Sequence, residues 1–68
     1  MAATVKLTRE AVGLWTARVT DEVTVNVWMV KRGTYSVVYF VNGQPVDHET
    51  MRDSLANVAG RIADWASA

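Results

Sequence analysis

The sequence predicts an α+β domain in which an antiparallel sheet of three to five strands carries one C-terminal helix across one face, with the order β-β-β-β-α favoured. Three observations lead to this fold class. Before residue 47, apolar residues recur at every second position, which is the period of a half-buried strand. Glycine-containing turns separate these stretches. After residue 47, apolar residues recur every three or four positions, as in a helix. The 68 residues are long enough for one domain.

The beginning of the chain allows two interpretations. Residues 4–8 alternate weakly and predict an edge strand. Thr8 followed by residues 9–14 also fits a short capped helix, although Gly13 disfavours a long one. Both interpretations stay open at this point.

The clearest strand covers residues 23–30, and the run before it, residues 15–19, alternates in the same way. A three-residue loop over residues 20–22 pairs Val19 with Val23 and keeps the apolar sets of both strands on one face, whereas a two-residue loop separates them. We therefore expect the three-residue loop. One side of the longer strand then carries Val23, Val25, Val27 and Met29, and the other side carries Thr24, Asn26 and Trp28.

A further strand is expected over residues 35–41, after a turn at residues 31–34. It is apolar on both sides, with Tyr35, Val37, Tyr39 and Val41 on one and Val38 and Phe40 on the other. The pattern does not fix which set shares a face with Trp28. Asn42-Gly43 predicts a tight turn, and residues 44–46 predict a short return strand that Pro45 keeps at a sheet edge.

A helix is predicted from Asp47 to about Ala66. Asp47 is the expected N-cap, and Val46 and Met51 occupy the positions of a hydrophobic staple. An apolar stripe at helical spacing is expected to pack on the sheet face that carries the valines of strand 23–30. This stripe consists of Met51, Leu55, Val58, Ile62 and Trp65.

The helix covers one face of the sheet, and the sequence contains no second long helix for the other face. That face carries Trp28, and large exposed apolar patches usually mark interaction sites. The alternatives are that residues 1–14 fold back over it, or that long basic side chains half-cover Trp28. The expected partner-binding residues are Trp28, Tyr35, Tyr39 and Phe40, with Arg18, Lys31 and Arg32 at the rim.

A second expected contact lies on the back of the helix. Gly60 falls almost opposite the apolar stripe, and Ala56 and Ala63 lie near it. Small residues allow another backbone to approach closely, so this strip predicts contact between the helices of two subunits. The alternative is a glycine tolerated among good helix formers.

The residues that usually carry chemistry are scarce. His48 is the single histidine, and consecutive residues such as Asp47, His48 and Glu49 cannot converge on one metal ion because their side chains diverge by about 100° on a helix. There are no cysteines, and Gly33 and Gly43 belong to turns rather than to a phosphate loop. We therefore expect no catalytic residue, no cofactor, no metal site and no enzymatic activity.

Size and charge favour a binding protein. A small chain without disulfides builds a small core, and self-association is one route to sufficient stability. We expect a non-enzymatic module that self-associates, with a dimer favoured, and acts on a protein target. Its size is typical of accessory factors of phages and mobile elements, including inhibitors of host defence systems. No apolar run reaches the length of a membrane span and the start does not resemble a signal peptide, so a cytoplasmic location without membrane contact is expected.

Nucleic-acid binding is the alternative function. Seven basic and seven acidic residues give a net charge of +0, which lacks the basic excess typical of such proteins. Even so, Trp28 and the strand aromatics, together with Arg18 and the Lys31-Arg32 tip, predict a stacking platform for a single strand.

The order of elements is similar to two families. If residues 9–14 are helical, the order resembles a double-stranded-RNA-binding domain with residues 39–43 in its last hairpin, although residues 47–52 are acidic where that family is basic. If residues 4–8 are a strand, strands followed by one long helix resemble the dimeric single-strand-binding transcription coactivators. That second likeness lies in the order alone and implies a dimer that binds single strands.

Overall fold

The structure is a computed structural model that describes residues 5–67 and contains one five-stranded sheet whose strand order follows the chain. All neighbouring strands are antiparallel, and one helix follows them, which confirms the predicted α+β fold. The elements are β1 (Thr8–Ala11), β2 (Leu14–Arg18), β3 (Val23–Lys31), β4 (Thr34–Val41), β5 (Gln44–Arg52) and α1 (Leu55–Ser67).

The loop between β2 and β3 has the predicted odd length. The ladder pairs Ala17 with Val25, and the backbone N–H of Val19 donates to the carbonyl oxygen of Val23 at 2.9 Å. Inside the loop, the hydroxyl of Thr20 accepts hydrogen bonds from the N–H groups of Glu22 and Val23 at 3.2 and 3.0 Å. The apolar sets of β2 and β3 therefore share one face.

The register of β4 settles the alternative that the sequence left open. Val37 lies opposite Val27 and Tyr39 lies opposite Val25, so the tyrosine set shares the face of the β3 valines. Val38 lies opposite Asn26, on the same face as Trp28. The turn into β5 is the predicted tight one.

Positive φ angles mark that turn. Asn42 and Gly43 have φ values of 52° and 80°, as a type I′ hairpin turn requires. This geometry favours asparagine and glycine over other residues, which explains why the sequence signal is reliable here.

The predicted start of the helix is wrong. Residues 44–52 form β5, an edge strand that pairs with β4 along its length, and α1 begins only at Leu55. Asp47 is consequently not an N-cap, and Val46 and Met51 form no staple. The N-cap is Ser54, whose hydroxyl accepts a hydrogen bond from the N–H of Asn57 at 3.2 Å.

The misassigned segment looked helical because only one of its inward-facing residues is apolar. Asp47, Glu49 and Met51 point to the helix side of the sheet, and the two carboxylates lie at an edge strand where the core ends. Asp47 instead accepts a hydrogen bond from the indole N–H of Trp65 at 3.1 Å. The edge position therefore tolerates polar residues on the inner side, which removes the period-two signal.

The first element of the described residues is a strand, but it lies later than predicted. β1 covers Thr8–Ala11, and no helix forms over residues 9–14; Thr4 lies outside the described residues. The order of a double-stranded-RNA-binding domain is therefore excluded. Before β1, Val5 and Leu7 pack against the core.

The core lies between α1 and the valine face of the sheet. Val58 and Ile62 from the helix are fully buried against a layer of fully buried strand residues, namely Val25, Val27, Val37 and Tyr39. Leu55 and Trp65 pack at the ends of this contact, which confirms the predicted stripe apart from Met51, a core residue of β5. Burial of these apolar side chains is the main stabilising term.

The position of the N-cap is testable by substitution. Ser54→Ala removes the side-chain acceptor of the first turn and is expected to lower the free energy of unfolding by about 1 kcal/mol. Ser54→Asp, which supplies another acceptor, is expected to keep the stability of the wild-type protein. Urea unfolding measures both variants, and an unchanged midpoint for Ser54→Ala would show that the helix is capped elsewhere.

Candidate functional site

The sheet face that turns away from α1, called the outer face below, has an apolar centre. Trp28, Val38 and Phe40 lie there on the two middle strands, and Trp28 keeps 39% of its surface exposed. Within residues 5–67, no element packs over these three side chains. The helix α1 lies on the opposite face of the sheet, and Val5 belongs to the core between α1 and that opposite face. The outer face is therefore open over the described part of the chain.

Small uncharged polar side chains surround this centre. The strand registers place Thr16, Thr24, Asn26, Ser36 and Thr50 on the outer face. Such residues form hydrogen bonds readily without adding charge. The outer face therefore combines an exposed aromatic ring with donors and acceptors on both sides of it.

Charged residues are sorted between the two faces. Arg18 and Arg52 lie on the outer face, while Asp47 and Glu49 alternate to the helix side of β5. The strand carboxylate that does belong to the outer face is Glu10, on the edge strand β1, where it accepts a hydrogen bond from Thr16 at 2.9 Å. The charged outer-facing residues of the strands are therefore two arginines and one glutamate, an excess of one positive charge, while Arg9 of β1 lies on the helix side opposite Trp15.

The structure brings together some of the predicted partner-binding residues. Trp28, Phe40 and Arg18 share the outer face. Lys31 ends β3 and Arg32 lies in the following turn, both exposed, at the end of the sheet away from Arg18. These five residues therefore line one continuous side of the molecule.

The two tyrosines do not belong to this surface, which corrects their assignment as partner-binding residues. Tyr39 is fully buried and stacks on Trp65 with ring centroids 4.1 Å apart at an angle of 14°. Tyr35 is half-buried and meets Trp15 edge to face at 5.7 Å. The pairing of Val27 with Val37 places both tyrosines on the helix side.

The buried hydroxyl of Tyr39 has no hydrogen-bond partner among residues 5–67. Burial raises the pKa of Tyr39 to about 12, and the negative charges of Glu49 and Asp47 add to the rise. This group stabilises the core through its ring rather than through its oxygen.

The predicted strip on the back of α1 is only partly exposed. Ala56 and Gly60 face solvent, but Ala63 is buried with 4% exposure. A Cβ at Gly60 meets nothing within 4 Å, so packing inside the protein does not require glycine there. The strip forms part of a shallow surface depression on α1. Two charged residues, Arg61 and Asp64, line this depression together with the small residues.

Sequence reasoning missed Arg52 as a surface residue of the sheet. The predicted helix absorbed it, whereas β5 carries it to the outer face at the end of the strand. Continuing the period of two beyond Pro45 would have found it, since His48, Thr50 and Arg52 then fall on one side.

Residues 5–67 contain no group of three or more histidine, aspartate or glutamate side chains that could hold a metal ion. The helix of this part of the chain is too short and too polar to cross a membrane. No protein-family model, curated protein or solved structure matches the chain.

The burial of Tyr39 predicts a loss of stability at high pH. Its native pKa of about 12 lies above the ordinary value, so the unfolded state loses its phenolic proton first. The full stabilisation is therefore present below about pH 10 and declines as the pH rises toward 12. In the Tyr35→Phe variant, tyrosinate absorbance reports the titration of Tyr39 alone. A titration midpoint at about pH 10 in the folded protein would contradict the burial of Tyr39.

Proposed function

We propose that this chain is a non-enzymatic binding module whose outer face takes single-stranded nucleic acid. The observation that carries the proposal is the sorting of charge across β5, which turns Asp47 and Glu49 to the helix side and Arg52 to the outer face. In a helix, the acidic stretch would repel phosphates. As a strand, it directs its carboxylates away from the surface that a nucleic acid would approach.

The aromatic residues favour a single strand as the ligand. Trp28 presents 39% of its surface between Leu14 of β2 and Ser36 of β4, and Phe40 lies on β4 at the far side of Val38. Exposed rings stack on the faces of unpaired bases, which a duplex hides between its own base pairs. Trp28 and Phe40 are about 14 Å apart along the strands, so they would contact different bases.

Basic residues around the rings provide the attraction for phosphates. Arg18 lies at one end of the outer face, and Arg52, Lys31 and Arg32 lie at the other. Contacts of this kind release counterions from the nucleic acid, so the affinity depends strongly on salt. The geometry thus supports a platform on which bases stack in the middle and phosphates lie toward both ends.

Self-association through the outer face is a second candidate, favoured by its apolar centre. Two sheets can pack face to face at a distance of about 10 Å, which would cover Trp28, Val38 and Phe40. A protein target, such as a small inhibitor would engage, would use the same face. A symmetric contact brings Arg18 and Arg52 of two copies into one interface, so we rank self-association below nucleic acid.

Binding to an oligonucleotide tests the first candidate. We expect fluorescence anisotropy to detect binding of a labelled oligothymidylate at low salt, with an affinity that falls linearly on a logarithmic salt scale. Trp28→Ala is expected to weaken binding by about 5- to 150-fold, because stacking on one base contributes about 1–3 kcal/mol. Val12→Ala serves as the control, since Val12 is 86% exposed in the turn between β1 and β2. Absence of binding at low salt contradicts the proposal, and so does equal binding by the two variants.

The mass in solution tests the second candidate. If the outer face joins two copies, light scattering of the wild-type protein gives twice the mass of one chain, and Trp28→Glu reduces it to that of a monomer. Gly60→Arg is the matched variant on the back of α1 and is expected to leave the dimer intact. A monomeric wild-type protein at all concentrations rejects self-association.

A further inference from the structure

A shallow depression open to solvent, called the cleft below, lies at the corner where the β3–β4 turn meets the end of β5. Three basic side chains line it, Lys31 and Arg32 from the turn and Arg52 from β5. These residues are exposed and come from chain segments separated by a whole hairpin. The fold therefore gathers positive charge that the sequence spreads over two places.

A backbone hydrogen bond fixes the two walls of the cleft relative to each other. The N–H of Asp53 donates to the carbonyl oxygen of Gly33 at 3.1 Å, which ties the turn to the residue that follows Arg52. Gly33 has a φ of 80°, a conformation that favours glycine and lets the turn present its carbonyl there. Thr34, beside the turn, is buried with 7% exposure and anchors this end of β4. The backbone segments that carry the basic groups are thus joined by a hydrogen bond.

One carboxylate, that of Asp53, also lines the cleft, but its interactions point toward the helix. Its Oδ1 accepts hydrogen bonds from the side-chain amide of Asn57 and from the N–H of Ser54, both at 2.8 Å. The Asn57 bond, followed by the Ser54 bond, lowers the pKa of Asp53. Three cations against this single carboxylate leave the lining with a net positive charge, which suits a phosphate diester.

The cleft is continuous with the outer face. Lys31 lies three residues beyond Trp28 on β3, about 10 Å away, and Arg52 continues the outer-facing series of β5. We propose that this cleft holds a backbone phosphate of the single strand whose base stacks on Trp28. The inference rests on the proposed function and adds to it the position of one backbone phosphate, at the end of the sheet beyond Trp28.

The salt dependence of binding distinguishes this site from general attraction. Arg52→Gln is expected to reduce the slope of log affinity against log salt by up to about 0.7, the value for one phosphate contact to a single strand. Arg61→Gln makes the same charge change on α1, outside the outer face, and is expected to leave the slope unchanged. Lys31→Gln and Arg32→Gln are expected to reduce the slope in the same direction, and because the three cations share one phosphate, their combined loss is also about 0.7.

Three results would overturn the proposal, and they separate it from the proposed function. If oligothymidylate binds and depends on Trp28, but Arg52→Gln and Arg61→Gln share one slope, the cleft is wrong and the function stands. If no oligothymidylate binds, both are wrong. If inorganic phosphate shifts the amide resonances of Gly33 and Ser54 while oligothymidylate binds nowhere, the cleft takes free phosphate and the nucleic-acid backbone is rejected as its source.

Discussion

The packing of α1 against one face of the sheet is the constraint on which the rest of the molecule depends. The two fully buried helix residues, Val58 and Ile62, fix which sides of β3 and β4 are interior. Because side chains alternate along a strand, this choice also determines every residue of the outer face. Trp28 is exposed for the same reason that Val27 beside it is buried.

The same division into an inner and an outer side places the charged residues of the edge strand β5. Its inner side lies where the core ends, so Asp47 can meet the indole of Trp65 instead of an apolar neighbour. Its outer side ends in Arg52, next to the tip of the β3–β4 hairpin. The separation of charge therefore arises from the register of one strand rather than from the composition, which is neutral.

The sequence predicted the fold class, the loop between β2 and β3, the Asn42-Gly43 turn and the helix residues of the core because each has a strong local signal. The start of α1 could not be predicted in the same way. Residues 47–52 lack alternating apolar residues. Both Asp47 and Ser54 are residue types preferred at the N-cap, so residue type alone did not identify Ser54 as the cap. The sequence could not decide whether Phe40 or the two tyrosines share the outer face with Trp28. That choice depends on the pairing of β4 with β3 and on the helix that packs against them.

We expect single-stranded nucleic acid to bind to the outer face of the sheet and not to the side of the molecule that carries α1. Mapping of amide chemical shifts during titration with oligothymidylate tests this most directly, because it reports on all strands and on the helix at once. The predicted result is a continuous set of shifts around Trp28, Phe40 and Arg52. Shifts confined to the exposed side of α1, around Ala56 and Gly60, or the absence of shifts at low salt, would contradict it.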